Sequence, residues 1–204
     1  EPIDFDLAES QYTALADALA SGVANGTVTE EGGDCGWVWY GNWWWGHWVW
    51  WCDDGYVVLE GTDPDTNLFV VDEDTLDDRD VTIDAPAGST VVVVVEGSDI
   101  RLDDIDLDLV GVSADHLLWV FPDAHWVQID WTNIDGWLLA PRAHLDLYQC
   151  NLDGGVIADT FAGDGVLNAV PFAGDLCAFG VGIPGVFTEY GEGPQPVCES
   201  TDFD

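Results

Sequence analysis

The tetrapeptide Pro122-Asp123-Ala124-His125 returns as Pro141-Arg142-Ala143-His144, nineteen residues on. Asn133-Ile134-Asp135-Gly136 returns as Asn151-Leu152-Asp153-Gly154, eighteen residues on. A unit this short cannot bury an apolar face by itself, so its copies must stack on one another. The surrounding text is short β-type runs punctuated by Gly, Pro, Asn and Asp: 57–59, 68–71, 81–83, 91–95, 105–110, 117–121, 126–129, 137–140, 145–148 and 156–157. The period fits a β-solenoid with coils of about 18–20 residues, successive strands stacking at about 4.8 Å. A sandwich with look-alike hairpins is the alternative. Solenoid ends leave unpaired edges that must be covered. Leu7 to Ser21, with Leu7, Tyr12, Leu15, Ala16 and Leu19 at helical spacing, reads as an amphipathic helix suited to cap one end, and Ala24-Asn25-Gly26 stops it. The chain thus reads as mainly β, divided into a capping helix (1–26), a hairpin insertion (27–60), a solenoid (61–175) and a tail (176–204).

The insertion carries CGWVWYGNWWWGHWVWWC between Cys35 and Cys52, with eight of the twelve tryptophans. Pairing residues whose numbers sum to 87 sets Cys35 opposite Cys52, Trp37 opposite Trp50 and Trp39 opposite Trp48 on one face of an antiparallel ribbon. Gly36/Trp51, Val38/Val49 and Tyr40/His47 fill the other face, and Trp43, Trp44 and Trp45 fall at the tip. Opposed aromatics and a disulfide both suit such cross-strand positions. The disulfide would contribute about 3 kcal/mol to a marginal hairpin. Such a finger either packs onto its own domain as core or meets an external partner. Three consecutive tip tryptophans cannot all bury on one side, which favours the partner.

Forty acidic residues face three basic ones, Arg79, Arg101 and Arg142, and no lysine, for a net charge of -37. That sign excludes nucleic acid as a partner and opposes anionic lipid. The 48% hydrophobic content argues for a folded chain. Self-repulsion of this size calls for screening, and so for a salt-rich, halophilic setting. Diffuse calcium binding by the aspartates is the alternative. Five cysteines with a cross-strand pair point to an oxidising, extracellular compartment. Cys177 is expected to pair with Cys198, leaving Cys150 buried and free; an intermolecular bridge is the alternative. Without methionine, signal peptide, apolar membrane span or anchoring tail, the chain reads as a mature, secreted product.

An ordered series of motifs runs from Gly61-Thr62-Asp63-Pro64-Asp65-Thr66-Asn67-Leu68-Phe69 through Ile83-Asp84-Ala85-Pro86-Ala87-Gly88-Ser89-Thr90-Val91. It continues with Leu118-Trp119-Val120-Phe121-Pro122-Asp123-Ala124, Leu138-Leu139-Ala140-Pro141-Arg142-Ala143 and Asn151-Leu152-Asp153-Gly154-Gly155-Val156-Ile157-Ala158. Residues 61–174 with these motifs resemble the choice-of-anchor A domain of secreted and surface proteins. The resemblance implies a β-helical domain displayed outside the cell, without a known active site and associated with adhesion. The aromatic finger and the missing sorting signal depart from that family and favour retention through subunits or matrix.

Candidate chemistry is sparse. Asp99, Asp103, Asp104, Asp106 and Asp108 around Arg101, and Asp72, Asp74, Asp77 and Asp78 around Arg79, read as solvated acidic faces rather than calcium sites, since no EF-hand pattern accompanies them. His125 and His144 occupy matching places in the repeat and read as a turn-position ladder rather than zinc ligands. No nucleophile elbow, phosphate loop or HExxH is present, so no enzyme, metal or cofactor is expected. Ice binding would want Thr-x-Thr rows, and none recurs. The expected function is an extracellular structural or adhesive subunit that self-associates into a filament or matrix through Trp37, Trp39, Trp43, Trp44, Trp45, Trp48, Trp50 and Trp51. The alternative is a module whose tip tryptophans stack on glycans or another surface ligand.

Overall fold

The structure is a computed structural model and describes residues 5–32, 35–42, 44–52, 55–76 and 79–179, with the backbone alone at 35, 51 and 52. It is mainly β, with parallel, curled sheets and an N-terminal helix. One four-stranded sheet orders β1 (Thr27–Glu31), β4 (Tyr56–Glu60), β6 (Asp80–Asp84) and β9 (Asp106–Val110). A larger sheet runs β5 (Thr66–Asp72), β7 (Thr90–Glu96), β10 (Leu117–Val120), β12 (Asn133–Tyr148), β13 (Asn151–Gly163) and β14 (Val166–Ala169). On the far half of β12 it also carries β8 (Asp99–Asp103) and β11 (Trp126–Asp130). All these pairings are parallel except β1 with β4.

Parallel pairing stacks like on like. Ile100, Val127 and Leu145 stand in one row, and Leu59, Ile83 and Leu109 in another. Most of these side chains meet in one core between the sheets. The chain returns to its neighbour strand at intervals that shorten along the chain. Val91 lies on Asn67, 24 residues back, and Leu117 on Val91, 26 back. Trp137 then lies on Leu118, 19 back, Asn151 on Asn133, 18 back, and Val166 on Asn151, 15 back. The expected 18–20 residues therefore hold for the returns onto Leu118 and Asn133 alone; the earlier returns are longer and the last is shorter. The cause is a corner. Between β9 and β10 the chain spends residues 111–116, including a 3-10 turn at Ala114–His116. Inside β12 the same corner is Gly136 alone, at φ +101. A Cβ there would stand 2.7 Å from the Leu117 carbonyl oxygen.

A second corner corrects the histidine ladder. His144 pairs with Trp126, not His125, because 122–125 is one residue longer than 141–143. A third corner repeats in left-handed backbone: Asp104, Trp131 and Gln149 have φ of 49°, 54° and 48° and follow the stacked residues Asp103, Asp130 and Tyr148. The acidic patch expected around Arg101 is thereby divided. Asp104 sits at that corner, Asp99 and Asp103 on β8, and Asp106 and Asp108 on β9 of the other sheet.

The first helix, α1 (Phe5–Ala20), buries Tyr12, Leu15, Ala16 and Leu19, an i, i+3, i+4, i+7 stripe. It does not cap an end. The stripe packs on the outer face of the larger sheet, against Leu68, Val92, Val94, Leu118, Val120 and Leu139. Residues 90–95 of β7 are buried on both faces, and a strand apolar on both faces needs cover on both. Arg142 fixes the helix in place, pairing with Asp17 at 2.8 Å and donating to the Pro122 carbonyl at 2.7 Å.

The first edge is covered by other means. β1 lies antiparallel on β4. The Asn25 side chain donates to the Thr66 carbonyl and accepts from the Leu68 N–H, so it occupies the free edge of β5 as a short strand would. A one-turn helix, α2 (Glu73–Leu76), packs against β5 and β8. At the opposite edge, β14 pairs with residues 151–154 of β13 alone.

Candidate functional site: a tryptophan arm

β2 (Cys35–Gly41) and β3 (Gly46–Cys52) form a separate two-stranded ribbon. Its register is the expected one: Cys35 opposes Cys52, Trp37 opposes Trp50, Trp39 opposes Trp48, and Gly41 opposes Gly46. The same sum continues in the main sheet, where Thr27 opposes Glu60 and Glu31 opposes Tyr56. The ribbon is thus the far part of a hairpin whose root is an edge of the four-stranded sheet. Seven residue pairs at about 3.4 Å per residue give it a length of about 20 Å. At the root, the Tyr56 hydroxyl donates to the Glu31 carboxylate, and Arg79 pairs with Glu30 at 2.8 Å. The Arg79 acidic surround therefore includes β1; Asp77 and Asp78 lie outside the described residues.

Two edge-to-face indole pairs hold the ribbon face. Trp37 and Trp50 have centroids 5.4 Å apart at 76°, and Trp39 and Trp48 5.5 Å apart at 70°. This geometry sets a positive ring edge on a negative ring face and contributes about 0.5–1.5 kcal/mol per pair beyond area burial. Tyr40 and His47 stand at 6.3 Å on the other face. At the tip, the Asn42 side-chain oxygen accepts from the N–H groups of Trp44 and Trp45 at 3.0 and 2.9 Å, and the Asn42 N–H donates to the Trp45 carbonyl. Gly41, at φ +139, opposes Gly46, where a Cβ would collide with the Trp39 ring. Two glycines and one asparagine thus shape a tight tip that points bulky rings outward.

The arm does not serve as core. Trp44 and Trp45 are 84% and 83% exposed, and Trp37, Trp39, Trp48, Trp50, Val38 and Tyr40 are exposed as well. Trp43 and the side chain of Trp51 lie outside the described residues, as do the side chains of Cys35 and Cys52. Trp37 and Trp48 flank a shallow apolar cleft. From Cys35 to Cys52 the chain carries no Asp, Glu, Lys or Arg. Of the remaining cysteines, Cys150 is free and buried, and the expected Cys177–Cys198 pair reaches outside the described residues at Cys198.

A second aromatic surface escaped the sequence reading. On the face of β8, β11 and β12, Trp126 stacks on His144 at 4.5 Å, and His144 Nδ1 lies 2.7 Å from the Thr160 hydroxyl. Trp131 meets Tyr148 edge-on at 5.8 Å. Only the register that aligns 126 with 144, and 130 with 148, brings these rings together. Arg101 lies between them, 2.9 Å from Asp103 and 3.7 Å from Asp130, and Gln128 donates to Asp130 at 2.7 Å. These contacts are structural, and among the described residues no group of three or more His, Cys, Asp or Glu is arranged to hold a metal ion. Nor is any helix among them long and apolar enough to cross a membrane.

No match is found among curated proteins or solved structures. A family profile does match, over residues 1–169, and its description is "Putative Ice-binding-like adhesive domain". The choice-of-anchor A resemblance and this match share an adhesive surface domain, but the family matched is the second. Since the match spans helix, arm and sheets together, the chain belongs to the ice-binding-like adhesive domain family.

Proposed function

We propose that this protein is an extracellular adhesive subunit that self-associates, with the tryptophan arm as its contact element. The body that carries the arm is read as a β-solenoid, and Cys35–Cys52 as the staple of the arm. The observation that carries the reading is the arm's surface: large exposed indoles on a stretch without charge, in a chain of net charge -37. Contiguous apolar surface of this kind marks interaction sites. Apolar contact is also the interaction that survives high salt, where ion pairs are screened. The family description supports adhesion. Ice itself is a poor fit, because the outward row Thr29, Val58, Thr82, Asp108 is interrupted by Val58 and Asp108 and forms no threonine ladder. The reading is non-enzymatic, and the kinship with choice-of-anchor A domains remains part of it.

The cleft between Trp37 and Trp48 favours a second reading, in which the indoles stack on the apolar face of a sugar ring. The test is the pair W44S/W45S, followed by sedimentation velocity and negative-stain microscopy in molar salt. Self-association should fall to monomer while the melting temperature stays within a few degrees. Assembly equal to wild type overturns the proposal, and glycan-array binding lost by the same variant would install the second reading instead.

A further inference from the structure

Among the described residues, the body has a covered edge and an uncovered one. Phe161 continues the row Ile100, Val127, Leu145, and Leu167 continues the row Ile134, Leu152. Every earlier member of both rows is buried, whereas Phe161 and Leu167 are 52% and 50% exposed. They are core residues for which no following turn exists among the described residues. Val166 beside them is 56% exposed. The edges there also lack the usual guards. β14 and residues 160–163 of β13 contain no charge and no proline, Asp164 between them accepts from the Gln149 N–H, and from Gly165 to Gly174 the chain has no ionisable side chain. Natural sheets protect such edges with charge, bulges or cover. An apolar edge with a single carboxylate is therefore sparsely charged for a chain with 40 acidic residues.

We propose that this last turn is the docking site for the tryptophan arm of a second copy of the chain. The inference rests on the reading of the arm as a self-association element and names the surface it meets. Charge selects the partner. Two molecules at -37 repel wherever acidic faces meet, and the arm at 35–52 and the edge at 165–174 are uncharged stretches with exposed apolar side chains that can meet without that cost. Placement selects the geometry. The arm springs from the β1–β4 pair at the first edge of the stack, and Phe161, Val166 and Leu167 lie at the last. A contact between different patches at opposite edges is heterologous, so it propagates head to tail instead of closing a dimer. Indoles laid over Phe161 and Leu167 would supply the apolar cover that a further turn would have given.

The experiment uses complementary defects in the full chain. One variant, W44S/W45S, loses the arm tip and keeps the edge; another, V166S/L167S, keeps the arm and loses the edge. Sedimentation velocity in 2 M NaCl should show polymer for wild type, monomer for each variant alone, and a discrete heterodimer for their equimolar mixture, since one intact contact remains. A tenfold excess of the arm variant should also shorten wild-type polymers by occupying their arms without offering another. This arm of the test does not depend on how well the edge variant folds. Edge variants that polymerise like wild type, or a mixture that stays monomeric with wild-type lengths unaffected, overturn this docking site and leave the arm reading standing. An arm variant that still polymerises, or a wild type that never does, overturns the arm reading itself.

Discussion

Cys150 stands in the row Ile105, Thr132, Cys150, Gly165, where the chain turns from one strand set to the next. Burial pushes its thiol up, and the nearby carboxylates of Asp130 and Asp164 push it the same way. A raised thiol is held as S–H in the fold, so it does not react as a thiolate. In native protein at pH 8 it should label with an aromatic disulfide reagent far more slowly than after unfolding; equal rates would contradict its burial. The linkage has a sign. The unfolded chain ionises at the ordinary thiol value while the folded chain does not, so stability falls as pH rises from that value towards the raised one. Cys150→Ala should lose that part of the alkaline decline. Asp135 gives the carboxylate counterpart. Its pKa is raised, first by burial and then by the Asp153 charge stacked beside it. Its contribution is complete below the ordinary carboxylate range and is lost as pH rises through the raised value. Asp135→Asn removes the repulsion yet leaves the backbone carbonyl that accepts from the Trp119 indole. It should therefore stabilise the protein at pH 7 by about 0.2–1 kcal/mol, the scale of a like-charged cross-strand pair. In chemical unfolding, the gain should disappear near pH 3.

The elements differ in how far the text disclosed them. The arm was legible because antiparallel pairing has one free parameter, and the cysteines and two tryptophan pairs all select the sum of 87. The same sum pairs Thr27–Glu31 with Tyr56–Glu60, which roots the arm in the main sheet. β1 reads TVTEE, and without an apolar alternation it gives no strand signal until its partner is known. β8 was missed for a related reason. DIRLD places three charges outward and reads as a charged loop, although Ile100 and Leu102 are fully buried. The repeat was visible only where corners are glycine. At Gly136 and Gly154 the turn costs no extra residue, so the text repeats in step. Elsewhere loops of five or six residues at the same corner hide it. Gly136→Ala tests that account. It combines a φ of +101 with a collision on the Leu117 carbonyl, so it should cost about 1–3 kcal/mol, measured by urea unfolding. Gly88 also has positive φ, but a Cβ there meets nothing, so Gly88→Ala should cost less. Equal losses would mean that the corner is not sterically closed.

At the scale of the molecule, charge and cohesion are separated in space. The -37 charge is spread over helix, strands and corners, and only three arginines offset it, each already engaged with an acid: Arg79 with Glu30, Arg101 with Asp103, Arg142 with Asp17. Pairwise repair of the repulsion is therefore exhausted, and mobile ions must do the rest. At 0.1 M salt the screening length is about 10 Å, enough for acidic faces across the body to interact; near 1 M it is about 3 Å. The melting temperature should accordingly climb through this range of NaCl and then level off. Salting-out of apolar surface would also raise it, so the two causes need separating. Guanidinium chloride does so, since it screens as an electrolyte while weakening burial. Below about 0.5 M it should raise the melting temperature, whereas urea at the same concentration should lower it. Self-association should follow the same curve, because copies cannot bring an arm to an edge until their acidic bodies stop repelling. Stability that rises with guanidinium while assembly does not would place the barrier to association elsewhere than in charge. Parallel rises would make salt the condition under which the uncharged arm and edge meet.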